Sequence, residues 1–302
     1  MAAADTPLVP VTFMPPYSSM HGFFLKSNEL EEEKILENLT RLPLYTCDSG
    51  QNEDVCYYVG VSGLQNENYL SAIATRKNPP KQIRAVIIDI NGAACQYLQI
   101  VRQELLQTHD EESFCRAMLK CEMPPEMFPA ERSTHYSIFK EKNMYWLQTP
   151  ERFLAVKKMF VENRVAILHL NLADTQIPRL LNKLRGRVSV MYTSNVHEWL
   201  QHTPEMLTCF DSNISTLLAP NGYEINSDFA EKPIGGNIPL VLSMGHYKQS
   251  RYLQLHSDQP TQSAYFMIAN FVFQPSDHKK LDYTKWNDVP IEHKTDWMTE
   301  DC

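Results

Sequence analysis

The 302-residue chain has no run that approaches the roughly 18 consecutive apolar residues a membrane helix needs. Its start, Met1-Ala2-Ala3-Ala4-Asp5-Thr6-Pro7, lacks a basic stretch leading into an apolar one, so no secretory signal is read and a cytoplasmic location is expected. Export into a host cell as an effector is the alternative. The ten histidines form no H-E-x-x-H and no Cys/His cluster, so no metal is expected. G-x-x-x-x-G-K-[ST] is missing, which argues against a P-loop nucleotidase, and G-x-S-x-G is missing, which leaves a hydrolase elbow without support. Seven cysteines, none in C-x-x-C, suit reduced and mostly buried thiols. Basic residues are the minority, 28 against 36 acidic ones. The resulting net charge of -8 would repel a phosphate backbone and weighs against a nucleic-acid partner.

Hydrophobic residues make up 43% of the chain and charged residues 21%, enough to bury a full core. One α/β domain over 29–275 is expected, preceded by an extended Pro-aromatic arm (1–28) and followed by a polar tail (276–302). Leu30, Ile35, Leu36 and Leu39 predict a helix over about 28–41. Short β-rich runs then alternate with helical ones: strands at 55–61, 84–90, 165–170 and 188–192, and helices at 65–75, 92–107, 150–162, 175–184 and 204–218. Apolar strands of this kind, buried on both faces and joined by helices, imply a mostly parallel, doubly wound sheet. Residues 108–150 interrupt the rhythm as an insertion, with a helix near 111–121 and then Met123-Pro124-Pro125-Glu126-Met127-Phe128-Pro129. Strands at 238–243, 252–256 and 264–273 close the domain, the last two as an antiparallel hairpin.

Four constellations could carry chemistry. In Gly60-Val61-Ser62-Gly63, followed by Gln65 and Asn66, a strand ends in a turn of small residues that opens a helix. Such a turn lets a backbone approach a ligand and favours an anionic group, although any βα turn can carry two glycines. Asp89 closes the next strand, where a carboxylate can accept both ribose hydroxyls or, alternatively, cap the helix beginning near Asn91. Asn171 follows the strand at 165–170 and could meet an adenine edge; Asp174 reads as a helix cap, and His169 as a core histidine. Tyr192, Ser194 and Asn195 end the strand at 188–192, where a substrate meets the cofactor in a doubly wound fold. Ser194 or Asn195 could equally cap a short helix.

Tyr58, Gly60, Val61, Gln65 and Asn66, then Asp89 and Ile90, then Val188-Ser189-Val190, Tyr192 and Ser194-Asn195-Val196 resemble a bacterial family of unknown function classed as S-adenosylmethionine (SAM) methyltransferase-like. Its patterns are Y-x-G-V-G-P-x-Q-N, I-x-D-I and V-S-V-x-Y-x-S-N-V. Ser62 and Gly63 stand where that pattern has Gly and Pro, and Asn171 where an acidic residue is usual. The resemblance, spanning about 50–275, implies a Rossmann-like class I methyltransferase fold with SAM as cofactor. Gly60 to Gly63, with Gln65 and Asn66, would hold its methionine part, Asp89 the ribose, and Asn91 with Asn171 the adenine. Tyr192, Ser194 and Asn195 would face the methyl group and an unidentified small-molecule or protein acceptor. Two alternatives stand beside it: an inactive scaffold acting through protein partners at 1–28 or 108–150, and an enzyme using the crevice for another nucleoside-containing ligand.

Overall fold

The structure is a computed structural model, and it describes residues 25, 32–48, 54–61, 63–124, 129–194, 196, 200, 203–227, 240–244, 253–255 and 298. The strands, in chain order, are β1 (Cys47–Asp48), β2 (Asp54–Val61), β3 (Gln82–Asp89), β4 (Val165–His169), β5 (Val188–Ser194), β6 (Leu218–Ser227), β7 (Leu240–Met244) and β8 (Leu253–Leu255). The helices are α1 (Glu32–Arg41), α2 (Gln65–Ala74), α3 (Gly92–Gln107), α4 (Glu111–Met118), α5 (Pro129–Glu141), α6 (Pro150–Val161), α7 (Ile177–Leu180) and α8 (Pro204–Leu217). Short 3-10 turns lie at Tyr145–Leu147 and Asn182–Leu184.

Five strands run parallel in the order β4-β3-β2-β5-β6. The fold is therefore α/β, a parallel sheet with flanking helices. Val55 to Val61 of β2, Ala85 to Ile88 of β3 and Val188 to Thr193 of β5 are buried without interruption. A strand covered on both faces has no solvent side to alternate with, so its sequence reads as one apolar run.

The chain builds outward from β2 through β3 to β4, then returns to the other side of β2 with β5 and continues to β6. Parallel crossovers are right-handed, so this reversal sends the later helices to the opposite face. Accordingly α6 packs against both α2 and α3, whereas α7 packs against α8. The reversal also leaves the carboxyl ends of β2 and β5 side by side, with Gly60 opposite Tyr192.

The structure departs from the sequence expectations at several places. The insertion contains a second helix, α5, whose first residue is Pro129; the ring that would break a helix interior is tolerated at its first position. The helix expected at 175–184 is split into α7 and a 3-10 turn, with Leu181 off helical geometry at φ -108°, ψ 30°. β6 was not expected at all. Its Pro220-Asn221-Gly222 looks like a turn, yet the strand absorbs it as a bulge: β5–β6 pairing jumps from Val188–Leu218 to Val190–Tyr223. A Cβ on Gly222 would lie 2.5 Å from the Val188 carbonyl oxygen, so only glycine fits that approach.

β7 pairs antiparallel with β6, and β8 with β7. The other arm of the expected hairpin, 264–273, lies outside the described residues, so that hairpin is not part of the described sheet. Of the arm at 1–28 only Leu25 is described, and of the tail only Met298, which packs against the core.

Candidate functional site

The carboxyl ends of β2, β3, β4 and β5 gather most of the residues singled out in the sequence. Val61 pairs with Ile88, Asp89 with His169, and Gly60 with Tyr192. Ser62 and Asn195 lie outside the described residues.

The turn after β2 is held from within. Asn66, fully buried in the first turn of α2, donates from Nδ2 to the Val61 carbonyl at 3.3 Å and to the Gly63 carbonyl at 3.0 Å. Its Oδ1 accepts from the Tyr58 hydroxyl at 2.8 Å. That oxygen occupies the space above Gly60, where a Cβ would come within 1.8 Å of it and 2.8 Å of the Tyr58 ring. Gly63 supports the turn with φ 33°, backbone that favours glycine. Thus Tyr58, Gly60 and Asn66, three residues of the Y-x-G…Q-N pattern, are parts of one interlock. The next backbone donor, Leu64 N–H, binds the Leu25 carbonyl at 2.9 Å, while Leu25 N–H binds Glu131 Oε2 at 2.8 Å. Leu25 is fully buried and straps the start of α2 to α5.

α2 opens with Gln65-Asn66-Glu67-Asn68, and all four side chains are buried. Buried polar groups are normally paired. Asn66 is stitched as above, and Asn68 donates to Glu32 Oε1 and accepts from Trp146 N–H at 3.2 Å. Among the described residues, Gln65 has no hydrogen-bond partner for either carboxamide atom, and Glu67 none for either carboxyl oxygen. Burial pushes the Glu67 carboxyl up to about 8. Gln65 and Tyr69 are four residues apart, on one face of α2, and the Tyr69 ring meets the Tyr192 ring edge-on at 5.0 Å. Tyr192 is itself buried at 1% exposure, so it belongs to the packing beneath the site. Ser194, half-buried at the end of β5, turns the chain with φ 50°, an uncommon value outside glycine.

On the other side of β2 the polar residues shape loops. Asp89 Oδ1 accepts from Asn91 N–H at 2.7 Å, and Asn91 caps α3 by accepting from Ala93 and Ala94 N–H. Asn171 Oδ1 accepts from Ala173 N–H at 2.9 Å, and Asp174 Oδ1 from Gln176 N–H at 2.7 Å. His169 donates from Nε2 to the Ile90 carbonyl at 2.8 Å and packs its ring against Gly92, while burial lowers its pKa. The described cysteines are all free, and burial pushes Cys56 up to about 12 and Cys115 and Cys121 up to about 11, so these three are thiols rather than thiolate nucleophiles at neutral pH. Among the described residues, no three His, Cys, Asp or Glu side chains are grouped to hold a metal.

Residues 130–221 match a domain of unknown function, DUF7790. No curated protein matches the chain. The matched span runs from α5 into β6 and includes Asn171, Tyr192 and Ser194, but not the glycine turn or Asp89.

Sequence reasoning missed Glu67 and Glu224. The signal for Glu67 was four consecutive polar residues opening the helix that follows the buried strand β2 and its short turn. Glu224, fully buried, accepts from Thr193 Oγ1 at 2.8 Å, and it was hidden because β6 itself was not read.

Gly60→Ala should lower stability by about 2 kcal/mol or more, through overpacking against Asn66 and Tyr58. Gly186→Ala, at φ +65° in open space, should cost only about 1 kcal/mol. Urea unfolding of the two variants measures the contrast. Glu67 has a folded pKa of about 8, above its ordinary 4.5, so the native state holds that proton more tightly than the unfolded chain. Its burial therefore costs the fold least below pH 4.5, and stability falls as pH rises from there through 8. Relative to Glu67→Gln, the parent protein should therefore lose up to about 1.4 kcal/mol per pH unit across that window, read from unfolding at several pH values.

Proposed function

We propose that this protein binds SAM at the carboxyl ends of β2 to β5 and transfers its methyl group to an acceptor not yet identified. The observation that carries the reading is the strand order. Counted among the parallel strands it is 3-2-1-4-5, the doubly wound order of Rossmann-like folds, which bind nucleotides where the order reverses. The glycine turn and Tyr192–Ser194 flank that reversal, and Asp89 ends the neighbouring strand, as in a class I SAM methyltransferase.

The chain's residues fit SAM at two of its three parts. Gln65, buried beside the reversal with donor and acceptor atoms unpaired, suits the amino and carboxylate groups of the methionine part. Asp89, half-buried at the end of β3, suits the ribose hydroxyls. Asn91 and Asn171 give their oxygens to their own backbone, so near the adenine they act through the loops they shape. SAM supplies an already activated methyl group; the protein's task is alignment and exclusion of water, and no general base is required. Ser194, with Asn195 next in sequence, would line the acceptor side.

A second reading is favoured by the closure of the turn. Asn66 fills the space above Gly60, and the Leu25 carbonyl occupies Leu64 N–H. A scaffold without transfer chemistry, acting through protein contacts, has no need of an open turn.

Calorimetry with SAM and S-adenosylhomocysteine on the intact protein and on Asp89→Ala separates the two. The methyltransferase reading expects both ligands to bind and affinity to fall about tenfold or more in the variant, since a hydrogen bond to a charged group is worth about 1.5–3 kcal/mol. No binding by the intact protein removes the cofactor; unchanged affinity in Asp89→Ala removes the ribose role.

A further inference from the structure

The face of α2 turned away from Gln65 carries polar groups that the SAM site does not use. Glu67 follows Gln65 by two residues, about 200° around the helix. Ser71, one turn further on the same face as Glu67, is fully buried, and its hydroxyl also has no hydrogen-bond partner among the described residues. The 3-10 turn at 145–147 packs against α2 and brings Trp146, fully buried, whose indole N–H is likewise unpaired. Trp146 is anchored there by its backbone bond to Asn68.

Among the described residues, no cation is found against Glu67. From α3 comes Tyr97, fully buried, whose phenol is held well above its usual value by burial first and then by Glu67, Cys121 and Glu131. From α5 comes His135, which bonds the Tyr97 hydroxyl through Nδ1 at 3.0 Å and the Met118 carbonyl through Nε2 at 3.0 Å. A carbonyl only accepts, so Nε2 carries the proton and Nδ1 receives the phenol: the ring is neutral, and burial lowers its pKa. Glu131 bonds Leu25 N–H, and Glu32 of α1 receives the Asn68 amide. α6 contributes the buried apolar side chains Phe153, Val156, Met159 and Phe160. The described groups of this region are thus carboxyls, a phenol, a thiol, a neutral imidazole and aromatic rings.

We propose that Glu67, with Ser71 and the Trp146 indole, forms a binding site for an organic ammonium group, distinct from the Gln65 side of α2. A carboxylate buried without a partner is strongly disfavoured, and an arriving cation removes that penalty. Aromatic walls favour an alkylammonium over a hydrated metal ion. The hydroxyl and the indole N–H complete the site with a donor or acceptor and a donor for neighbouring polar atoms of the ligand. The proposal does not depend on SAM binding, because its determinants lie on the other face of the helix. The ammonium could be borne by a simple amine or by the amino-acid end of a nucleoside such as S-adenosylhomocysteine.

The free protein holds Glu67 protonated at neutral pH, with its pKa near 8, and the bound cation ionises it, so binding releases a proton. The test is isothermal titration of the full chain at pH 7 in phosphate and in PIPES, an anionic disulfonate buffer with no primary ammonium. The probes are n-butylammonium, S-adenosylhomocysteine and 5′-methylthioadenosine, which lacks the amino-acid ammonium. At least one ammonium probe should bind with release of about one proton, and methylthioadenosine should bind, if at all, with none. Glu67→Gln, which keeps the shape and removes the charge, should weaken that ammonium binding at least tenfold and abolish the release. Butylammonium binding with proton release and no response to S-adenosylhomocysteine keeps this site and removes the SAM reading. S-adenosylhomocysteine binding without release, equal in Glu67→Gln, together with no proton-releasing butylammonium binding, keeps the SAM reading and overturns this site. Failure of both ammonium probes to bind also overturns it.

Discussion

The volume above Gly60 is the constraint on which the rest of the structure turns. It is filled by the Asn66 carboxamide oxygen, which can sit there only because position 60 has no side chain. From that place Asn66 reaches back to the Val61 and Gly63 carbonyls and receives the Tyr58 hydroxyl, so the end of β2 and the start of α2 become one piece. Because β2 is the strand from which the chain builds both ways, the direction of α2 sets where the neighbouring helices lie. It also fixes the two faces of α2: one carries Gln65 and Tyr69 toward Tyr192, the other carries Glu67 and Ser71.

A helix that buries Gln, Asn, Glu and Asn in its first turn is costly. Each unpaired polar group inside the protein opposes folding by about 1–3 kcal/mol, and more when it can be charged. The apolar strands on either side of β2 and the aromatic cluster of Phe114, Phe139, Trp146 and Phe153 offset that cost by burying large surfaces. Two of the four polar residues are spent on holding structure. Among the described residues the other two, together with Ser71 and the Trp146 indole, are left without hydrogen-bond partners, which is why the proposed sites are placed on them.

Much of the fold was legible because its signals are local. β2, β3, β5 and α3 announce themselves by apolar runs and helical periodicity that need no partner to be read. The parts that were not legible depend on distant contacts. β6 is a strand only because β5 accepts its bulge at Pro220-Asn221-Gly222, and α5 follows a proline-rich stretch whose last proline is its first residue. The placement of the candidate residues was legible in outline, since Gly60 and Tyr192 pair near the carboxyl ends of β2 and β5 and Asp89 ends the neighbouring β3. Their roles were not. Gly60 serves Asn66, Asn91 caps α3, and Tyr192 packs on Tyr69, and each of these is decided by which atom a side chain reaches.

The interlock between Tyr58 and Asn66 is open to one direct measurement, a double-mutant cycle in urea unfolding with Tyr58→Phe, Asn66→Ala and the pair. If the Tyr58 hydroxyl and the Asn66 oxygen act together to hold the turn, the two losses overlap and the coupling is about 1 kcal/mol or more. Losses that add to within about 0.5 kcal/mol would contradict the account.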